Sequence, residues 1–430
     1  MSAGPVPVGG RGAGALAVRS VYQPVVELHT GCVIGYEALA RGPAGPLERP
    51  DALFAEARRL GLTAELDWAS RGAAFQGALE RGLTPPWTLF VNVEPDVIDT
   101  PCPPALMEIV GRARRGLRAV FEITERELAT KPAQLLRVVE EIRSQGWGIA
   151  LDDVGADWRS LALMPLIRPD VVKLDMHLVH RPLTSKVAWI GEAVRAYAAE
   201  SGAQILAEGL ESPEHVQRAL TLGATLGQGW MFGRPGSLPA SHSERPPDRC
   251  LAVGRQPIDD ATPMEAIRDL VTTTVATKAD LLAITRGIER RALETSEPCV
   301  VLSAFQTAQR FTPTAARLYA ELAARSAFVG AFGQGMRSEP APRVRGASLP
   351  HNHRLLGEWD VVLVTPHYAG ALVAQDLGDT GPDLERRFRM AVLTDRALVL
   401  RAARSLMLKM DSLRQDRPRA EAALSPAWAA

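Results

Sequence analysis

The sequence predicts an α/β protein of two domains. Repeated strand-then-helix units form either a barrel or a doubly wound sheet, and a smaller mixed α/β domain follows. Three observations predict it. A chain of 430 residues exceeds the roughly 100–200 residues of an ordinary single domain. Short apolar runs at 33–39, 88–92, 119–123, 149–152, 171–174 and 204–207 read as buried parallel strands separated by amphipathic helices. Residues 237–262 (SLPASHSERPPDRC, then LAVGRQPIDDAT) are rich in Ser, Pro, Arg and Asp without apolar periodicity, which marks an interdomain linker.

Residues 1–19 are mostly Gly, Ala, Pro and Val and read as a flexible tail; Gly9, Gly10, Gly12 and Gly14 do not form a dinucleotide-binding loop. The first domain then spans 20–236. Within it, Leu135, Val138, Val139 and Ile142 stripe one face of a helix over 132–143, with Gly146 beyond its end. Ser212 and Pro213 suit the N-cap and first position of another helix, Gly223 terminates it, and Val216, Ala219 and Leu220 share a side. In the second domain, 263–410, a helix is expected over 264–291, and strands at 300–303, 328–332 and 361–365 are separated by helices. Residues 411–430 read as a polar, Ala-rich tail.

Composition narrows the function classes. Lys+Arg and Asp+Glu both number 49, so the basic excess that drives nucleic-acid binding is absent. With 46% hydrophobic and 23% charged residues, disorder and a long coiled coil are excluded. No run of about 18 apolar residues occurs, nor a charged start followed by an apolar stretch, so a soluble cytoplasmic protein without membrane insertion is expected. Cys32, Cys102, Cys250 and Cys299 form no C-x-x-C pair and are expected to be reduced. Lysine occurs only at 131, 173, 186, 278 and 409, so a site that needs one has few candidates.

Acidic residues end several of the apolar runs: Glu37, Glu122 with Glu125, Asp152 with Asp153, and Glu208 with Glu211; Asn92 ends another. One such acid alone reads as a helix cap or a solvated loop residue. In a parallel barrel, however, the carboxyl ends of all strands share one face, and these side chains would crowd together. Each like-charged pair about 4 Å apart costs on the order of 4 kcal/mol at an effective dielectric near 20, so the cluster needs cations or protons. Hard oxygen donors suit Mg²⁺ or Mn²⁺. Neighbouring Asp152 and Asp153 can each hold one of two ions, an arrangement suited to phosphodiester hydrolysis.

Residues 21–236 closely resemble the EAL-domain cyclic-di-GMP phosphodiesterases. The motifs occur in the family's order: Tyr22-Gln23-Pro24, Glu37-Ala38-Leu39-Ala40-Arg41, Asn92, Glu122-Ile123-Thr124-Glu125, Asp152-Asp153, Lys173-Leu174-Asp175, Glu208-Gly209-Leu210-Glu211, and Gln228-Gly229-Trp230-Met231-Phe232-Gly233-Arg234-Pro235. The resemblance implies a TIM-like (β/α)8 barrel that hydrolyses cyclic-di-GMP to linear pGpG, acting as a homodimer with two Mg²⁺ or Mn²⁺ ions. It implies that Glu37, Asn92, Glu122 and Asp152 hold the first ion, and that Asp152 and Asp153 hold the second. By the same resemblance Glu208 completes the water network, Lys173 contacts the attacking water or the phosphate, and Gln228 positions the site. Gln23, Arg41 and Pro235 would meet the substrate, Arg41 through a phosphate, and Glu125 would anchor the loop after the aspartates.

That loop departs from the family's D-D-F-G-x-G: Val154 stands for the Phe and Asp157 for the second Gly. A lost glycine removes a φ > 0 option, which implies a working site of low or strongly regulated activity. The rival reading is a non-enzymatic effector that binds the nucleotide and signals to a partner; a third is a scaffold that binds no nucleotide.

Residues 300–405 resemble the DICT sensory domain, through Ser303-Ala304-Phe305-Gln306, Arg310-Phe311-Thr312, Glu358-Trp359, Thr365-Pro366-His367-Tyr368, Glu385-Arg386-Arg387-Phe388 and Thr394-Asp395-Arg396. This implies a regulatory input from an unknown signal or protein partner. His351 and His353 beside Pro350 read as loop residues rather than metal ligands, and Trp359 and Phe388 as core.

Overall fold

The computed structural model describes residues 6–8, 16–94, 97, 100–124, 130–239 and 260–410. Strands β2 (Leu16–Glu27), β3 (Val33–Arg41), β4 (Thr88–Asn92), β5 (Arg118–Thr124), β6 (Gly148–Val154), β7 (Val171–Leu174), β8 (Gln204–Ala207) and β9 (Leu226–Gln228) pair in sequence order, and β2 closes the barrel on β9. A short β1 (Val6–Val8) pairs antiparallel with the start of β2. The barrel is not wholly parallel: β2 runs antiparallel to both β3 and β9.

Each of the eight strands sends one apolar side chain into the barrel at a common level: Val25, Ile34, Phe90, Val120, Ala150, Val171, Leu206 and Leu226. All are at most 6% exposed, so the barrel is filled below its mouth and any site must lie above this layer. The expected helices surround it. Pro132–Ser144 buries Leu135, Val138, Val139 and Ile142, and Gly146 takes φ 83 beyond its end. Ser212 caps Pro213–Thr221 by accepting from the His215 N–H, and Gly223 takes φ 94.

Two expectations about the chain's organisation change. The strand β2 begins at Leu16, inside the stretch 1–19 read as a flexible tail. The Gly and Ala content upstream hides a run whose Val18, Val25 and Val26 are buried against the barrel. The helix expected over 264–291 is instead a short helix Pro263–Ile267, a strand β10 (Thr274–Thr277) and a helix Lys278–Glu294. The β-branched run 272–275 favours extended backbone over helix, and Thr277 with Asp280 forms a capping box that restarts the helix.

The second domain is a seven-stranded sheet of order β10-β16-β15-β14-β11-β12-β13. Here β11 (Val300–Thr307), β12 (Phe328–Gln334) and β13 (Arg345–Ser348) are parallel. β14 (Glu358–Val364), β15 (Ala369–Asp376) and β16 (Arg387–Leu393) are antiparallel neighbours joined without an α-helix; of the three expected strands, β11 and β12 are separated by the helix Pro313–Arg325 as expected, whereas only β13 and a 3-10 turn lie between β12 and β14. Trp359 and Phe388 meet edge to face at 6.1 Å in the core under Lys278–Glu294. His351 is exposed, and His353 Nδ1 accepts from the Leu355 N–H in a loop turn. A helix Arg396–Met407 closes the other face. Its Leu406 and Met407 share one apolar cluster with Leu166 and Ile167 of the barrel domain, so the two domains have a continuous core. Residues 240–259 of the expected linker and the tail 411–430 lie outside the described residues.

Candidate active site

The side chains above the apolar layer follow from strand alternation, because residues two apart on a strand face the same way. Two positions beyond Phe90, Val120, Ala150, Val171, Leu206 and Leu226 stand Asn92, Glu122, Asp152, Lys173, Glu208 and Gln228. On β2, which runs the other way, the corresponding residue lies two positions before Val25, at Gln23. Glu37 lies opposite Gln23 in the β2–β3 register and joins the same level.

Lys173 stands at the centre, 1% exposed. Its Nζ lies 2.7 Å from Glu208 Oε1, 2.9 Å from Glu122 Oε1, 3.1 Å from Asp152 Oδ1 and 3.9 Å from Glu37 Oε2. Glu37 is held by two amides: Asn92 Nδ2 donates to Oε1 at 2.9 Å and Gln228 Nε2 to Oε2 at 2.6 Å. Gln228 Nε2 also reaches Gln23 Oε1 at 3.2 Å, and Gln23 Nε2 donates to the Gly233 carbonyl at 3.1 Å. This amide chain ties the first strand to the last.

Gly229 lets the loop after Gln228 fold back, since a Cβ there would stand 2.1 Å from the Leu210 carbonyl oxygen. The Trp230 side of that loop is exposed, with the Arg234 guanidinium 4.0 Å over the Trp230 ring. The Gln23–Gln228 chain and this aromatic–cation pair were not separately legible in the sequence. An aromatic directly after a strand-end Gln-Gly is the signal that could have marked the pair.

Glu37, Glu122 and Glu208 do not share one electrostatic state. For Glu37, burial raises the proton affinity, but Lys173 and the bonds from Gln228 and Asn92 outweigh it and hold the carboxyl below its ordinary range. Burial and then the Glu37 charge push Glu122 well above that range, with Lys173 opposing. Glu208, whose side chain is 24% exposed, is raised to about 8 by burial; Lys173 opposes the rise while Asp152 and Glu37 add to it. Burial would lower Lys173, yet the surrounding carboxylates outweigh it and keep the ammonium charged.

The donor set fits hard divalent cations. Asp152, Asp153 and Glu208 can each offer a carboxylate oxygen within 4.8 Å of the others. Both Glu122 oxygens and Asp152 Oδ1 are buried without a well-aligned hydrogen bond, although Lys173 Nζ is at ion-pair distance from each residue. Under-satisfied buried carboxylate oxygens around one lysine are what a cation would complete.

Other expected residues lie at the rim. Arg41 donates Nη1 to the Ala40 carbonyl at 2.8 Å and feels Glu37 only at a distance. Pro235 is half-buried beside Gly236, whose backbone bridges Tyr22. Glu125 lies outside the described residues. The altered loop needs no second glycine: Asp157 sits at φ −119 and accepts from the Arg159 N–H at 3.1 Å, capping the turn Trp158–Ala162. The left-handed positions are Asp153 (φ 58) and the retained Gly155 (φ 104).

The family model for the EAL domain matches residues 15–235, and that for the sensory domain in diguanylate cyclases and two-component systems matches 262–377. The chain is 31% identical over 234 residues to the cyclic di-GMP phosphodiesterase RocR of Pseudomonas aeruginosa, covering 52% of this chain and 58% of that one. It is 26% identical over 222 residues to the probable cyclic di-GMP phosphodiesterase PdeB of Escherichia coli, covering 50% and 42%. The chain thus spans about half the length of these curated relatives. Among solved structures, Klebsiella pneumoniae BlrP1 in a manganese/cyclic-di-GMP complex is similar at 28% identity and a TM-score of 0.45, covering 54% of this chain and 59% of that one. No helix among the described residues is long and apolar enough to cross a membrane.

Proposed function

The chain belongs to the EAL-domain family, and from that premise we propose that it hydrolyses cyclic-di-GMP to linear pGpG with two Mg²⁺ or Mn²⁺ ions, under control of its second domain. The observation that carries this reading is the single level above the barrel's apolar layer at which Glu37, Asn92, Glu122, Asp152, Lys173, Glu208 and Gln228 converge. Glu37, Asn92, Glu122 and Asp152 would hold one ion, and Asp152 with Asp153 the other. When bound, the ions supply Lewis-acid charge and a water of lowered pKa.

The chain's own residues do the rest. Asn92 and Gln228 fix the Glu37 carboxylate in one rotamer and keep it ionised. Lys173, held charged by its neighbours, stabilises negative charge on the attacking water or a phosphate oxygen. Glu208 completes the water network, and its raised proton affinity lets it hold a proton near neutral pH. Gln23 from within the amide chain, and Arg41 and Pro235 from the rim, meet the substrate, and Glu125 anchors the loop after the aspartates. The reading includes a cytoplasmic homodimer. The effector alternative drew its support from the missing glycine, and Asp157 occupies a backbone region open to any residue.

The test is turnover of cyclic-di-GMP by the full chain, with product resolved by chromatography in Mg²⁺ and in Mn²⁺. Formation of pGpG supports the proposal. Binding without cleavage in both metals leaves an effector, and absence of binding leaves a scaffold. A pH dependence follows as well. Cation binding must displace the proton that Glu208 retains below about 8, so affinity rises with pH. Between pH 6.5 and 7.5 the half-saturating Mg²⁺ concentration should fall by about tenfold for one proton released, and by more where Glu122, a ligand whose proton affinity is also raised, releases a second. A Mg²⁺ titration at the two pH values checks this; equal affinities would mean that Glu208 is already ionised in the metal-free protein.

A further inference from the structure

Asp153 reaches the site from a strained position. At φ 58 it adopts a backbone conformation that non-glycine residues rarely hold, although Asp tolerates it better than most. Such a residue stays in place only when its surroundings fix it. Here the following residues do so. The Ala156 N–H donates to the Asp153 carbonyl at 3.1 Å, and the Ser160 hydroxyl donates to the Asp157 carbonyl at 2.6 Å. Gly155 presses so closely on Leu178 that a Cβ would stand 2.5 Å from it. The turn that carries Asp153 is thus tied through Ser160 to the start of the segment from Trp158 to Ile167.

The second domain grips that segment at two places. At the first, the Trp158 ring meets Trp189 edge-on at 5.8 Å, and Trp189 meets His367 of the second domain at 6.1 Å. His367 is itself fixed, its Nδ1 lying 2.7 Å from Glu297 Oε1. At the second, Arg404 donates one Nη to the Leu166 carbonyl at the end of the helix Met164–Ile167 and the other to Glu140 Oε1 at 2.5 Å. Arg404 meets the segment joining Asp153 to Lys173 directly, at Leu166, and His367 meets it through Trp189 of the helix Ser185–Ser201.

We propose that the second domain positions the Asp153 turn, with His367 and Arg404 as positioning residues acting through Trp189–Trp158 and through the Leu166 carbonyl. This rests on the reading of the barrel mouth as a cation site. A signal that shifts the second domain would then change cation affinity without touching substrate. Neither residue contacts the acidic cluster, so removing either should loosen the turn and leave the chemical groups intact.

The experiment uses the full chain with His367→Ala, Arg404→Met and the conservative Arg404→Lys, which keeps the charge but not the two-pronged donor. In EDTA, hydrogen exchange of peptides covering 153–163 is expected to rise at least about fivefold in His367→Ala and Arg404→Met and less in Arg404→Lys, with peptides 88–92 and 118–124 unchanged. With metal, the half-saturating Mg²⁺ concentration should rise by about fivefold or more while kcat at saturation stays within about twofold. Unchanged exchange at 153–163 overturns the proposal, as does a rise of equal size in the β4 and β5 peptides, which marks general destabilisation. If the unmodified protein shows no turnover, the functional reading fails, and the exchange measured in EDTA decides the positioning role alone. Should Arg404→Met fail to fold, His367→Ala, at a side chain 31% exposed, carries the same test.

Discussion

Replacing Glu37 by glutamine is expected to lower cyclic-di-GMP turnover at saturating Mg²⁺ by about 10³-fold, the scale seen when one preorganised charge-stabilising group is lost from an active site. The substitution is nearly isosteric, so the barrel should close as before. What changes is the donor pattern around it. Asn92 and Gln228 each point an amide N–H at one Glu37 oxygen, and a glutamine offers one acceptor in place of two. One amide must turn or go unpaired, at a cost of about 1–3 kcal/mol of stability. The carboxylate that these bonds and Lys173 hold ionised is also lost as a cation ligand. Chromatographic turnover and a thermal melt on the same preparation separate the effects: a large loss of rate with a small loss of Tm is expected. A rate within about tenfold of the unmodified protein would remove Glu37 from the proposed ligand set.

Much of this site was legible because its residues obey the simplest rule of a strand. An apolar run that ends two positions later in a polar side chain, as Val120 does in Glu122 and Val171 in Lys173, describes a barrel strand whose next inward position lies above the filled core. Glu37, Asn92, Glu122, Asp152, Lys173, Glu208 and Gln228 were found in this way or by the motif order, and the structure brings them together. What escaped depends on direction and on three-dimensional neighbours. Gln23 was reached through the Tyr22-Gln23-Pro24 motif alone; its place at the same level escaped, because β2 runs backwards and nothing in a linear run announces its direction. The Gln23–Gln228 bond joins residues at the two ends of the domain.

The second domain was less legible for a physical reason. Its helix Pro263–Ile267 and strand β10 (Thr274–Thr277) are short, and a helical pattern on either side of four β-branched residues reads as one helix. The interdomain core was invisible for another reason: Leu406, Met407 and Leu166 belong to helices whose apolar faces could each have served a single domain. That shared core also means that a chain cut after Gly236 would expose a face of the barrel now covered. Variants of the full chain are therefore the sound way to divide the two domains' contributions.

Lys173→Met is expected to have the largest effect on the metal-free protein. Lys173 is fully buried and lies within 3.1 Å of oxygens on Glu122, Asp152 and Glu208. Removing one partner from a buried ionic cluster typically costs about 3–5 kcal/mol, because the remaining charges are left unpaired. The acids can escape that cost by taking up protons, so the loss must depend on pH. Glu122 and Glu208 already have folded-state proton affinities above their unfolded value of 4.5. Their contribution to stability is fully present below that value and is lost as pH rises through the folded value, near 8 for Glu208. Without the lysine both move further upward, and Glu37 loses the counter-charge that holds it below its ordinary range, so the variant should be moderately less stable at pH 5 and markedly less stable at pH 8.5. Added Mg²⁺ should restore more of the loss at pH 8.5 than it adds to the unmodified protein, since a cation then takes over the neutralising role. Turnover should remain at least about 10²-fold low even with metal, because a bound cation restores the charge balance but not the ammonium that stabilises the attacking water or a phosphate oxygen. Thermal melts at the two pH values, in EDTA and in Mg²⁺, check the stability pattern. An equal loss of Tm at pH 5 and pH 8.5 would show that Lys173 serves there as packing rather than as the counter-charge of the cluster.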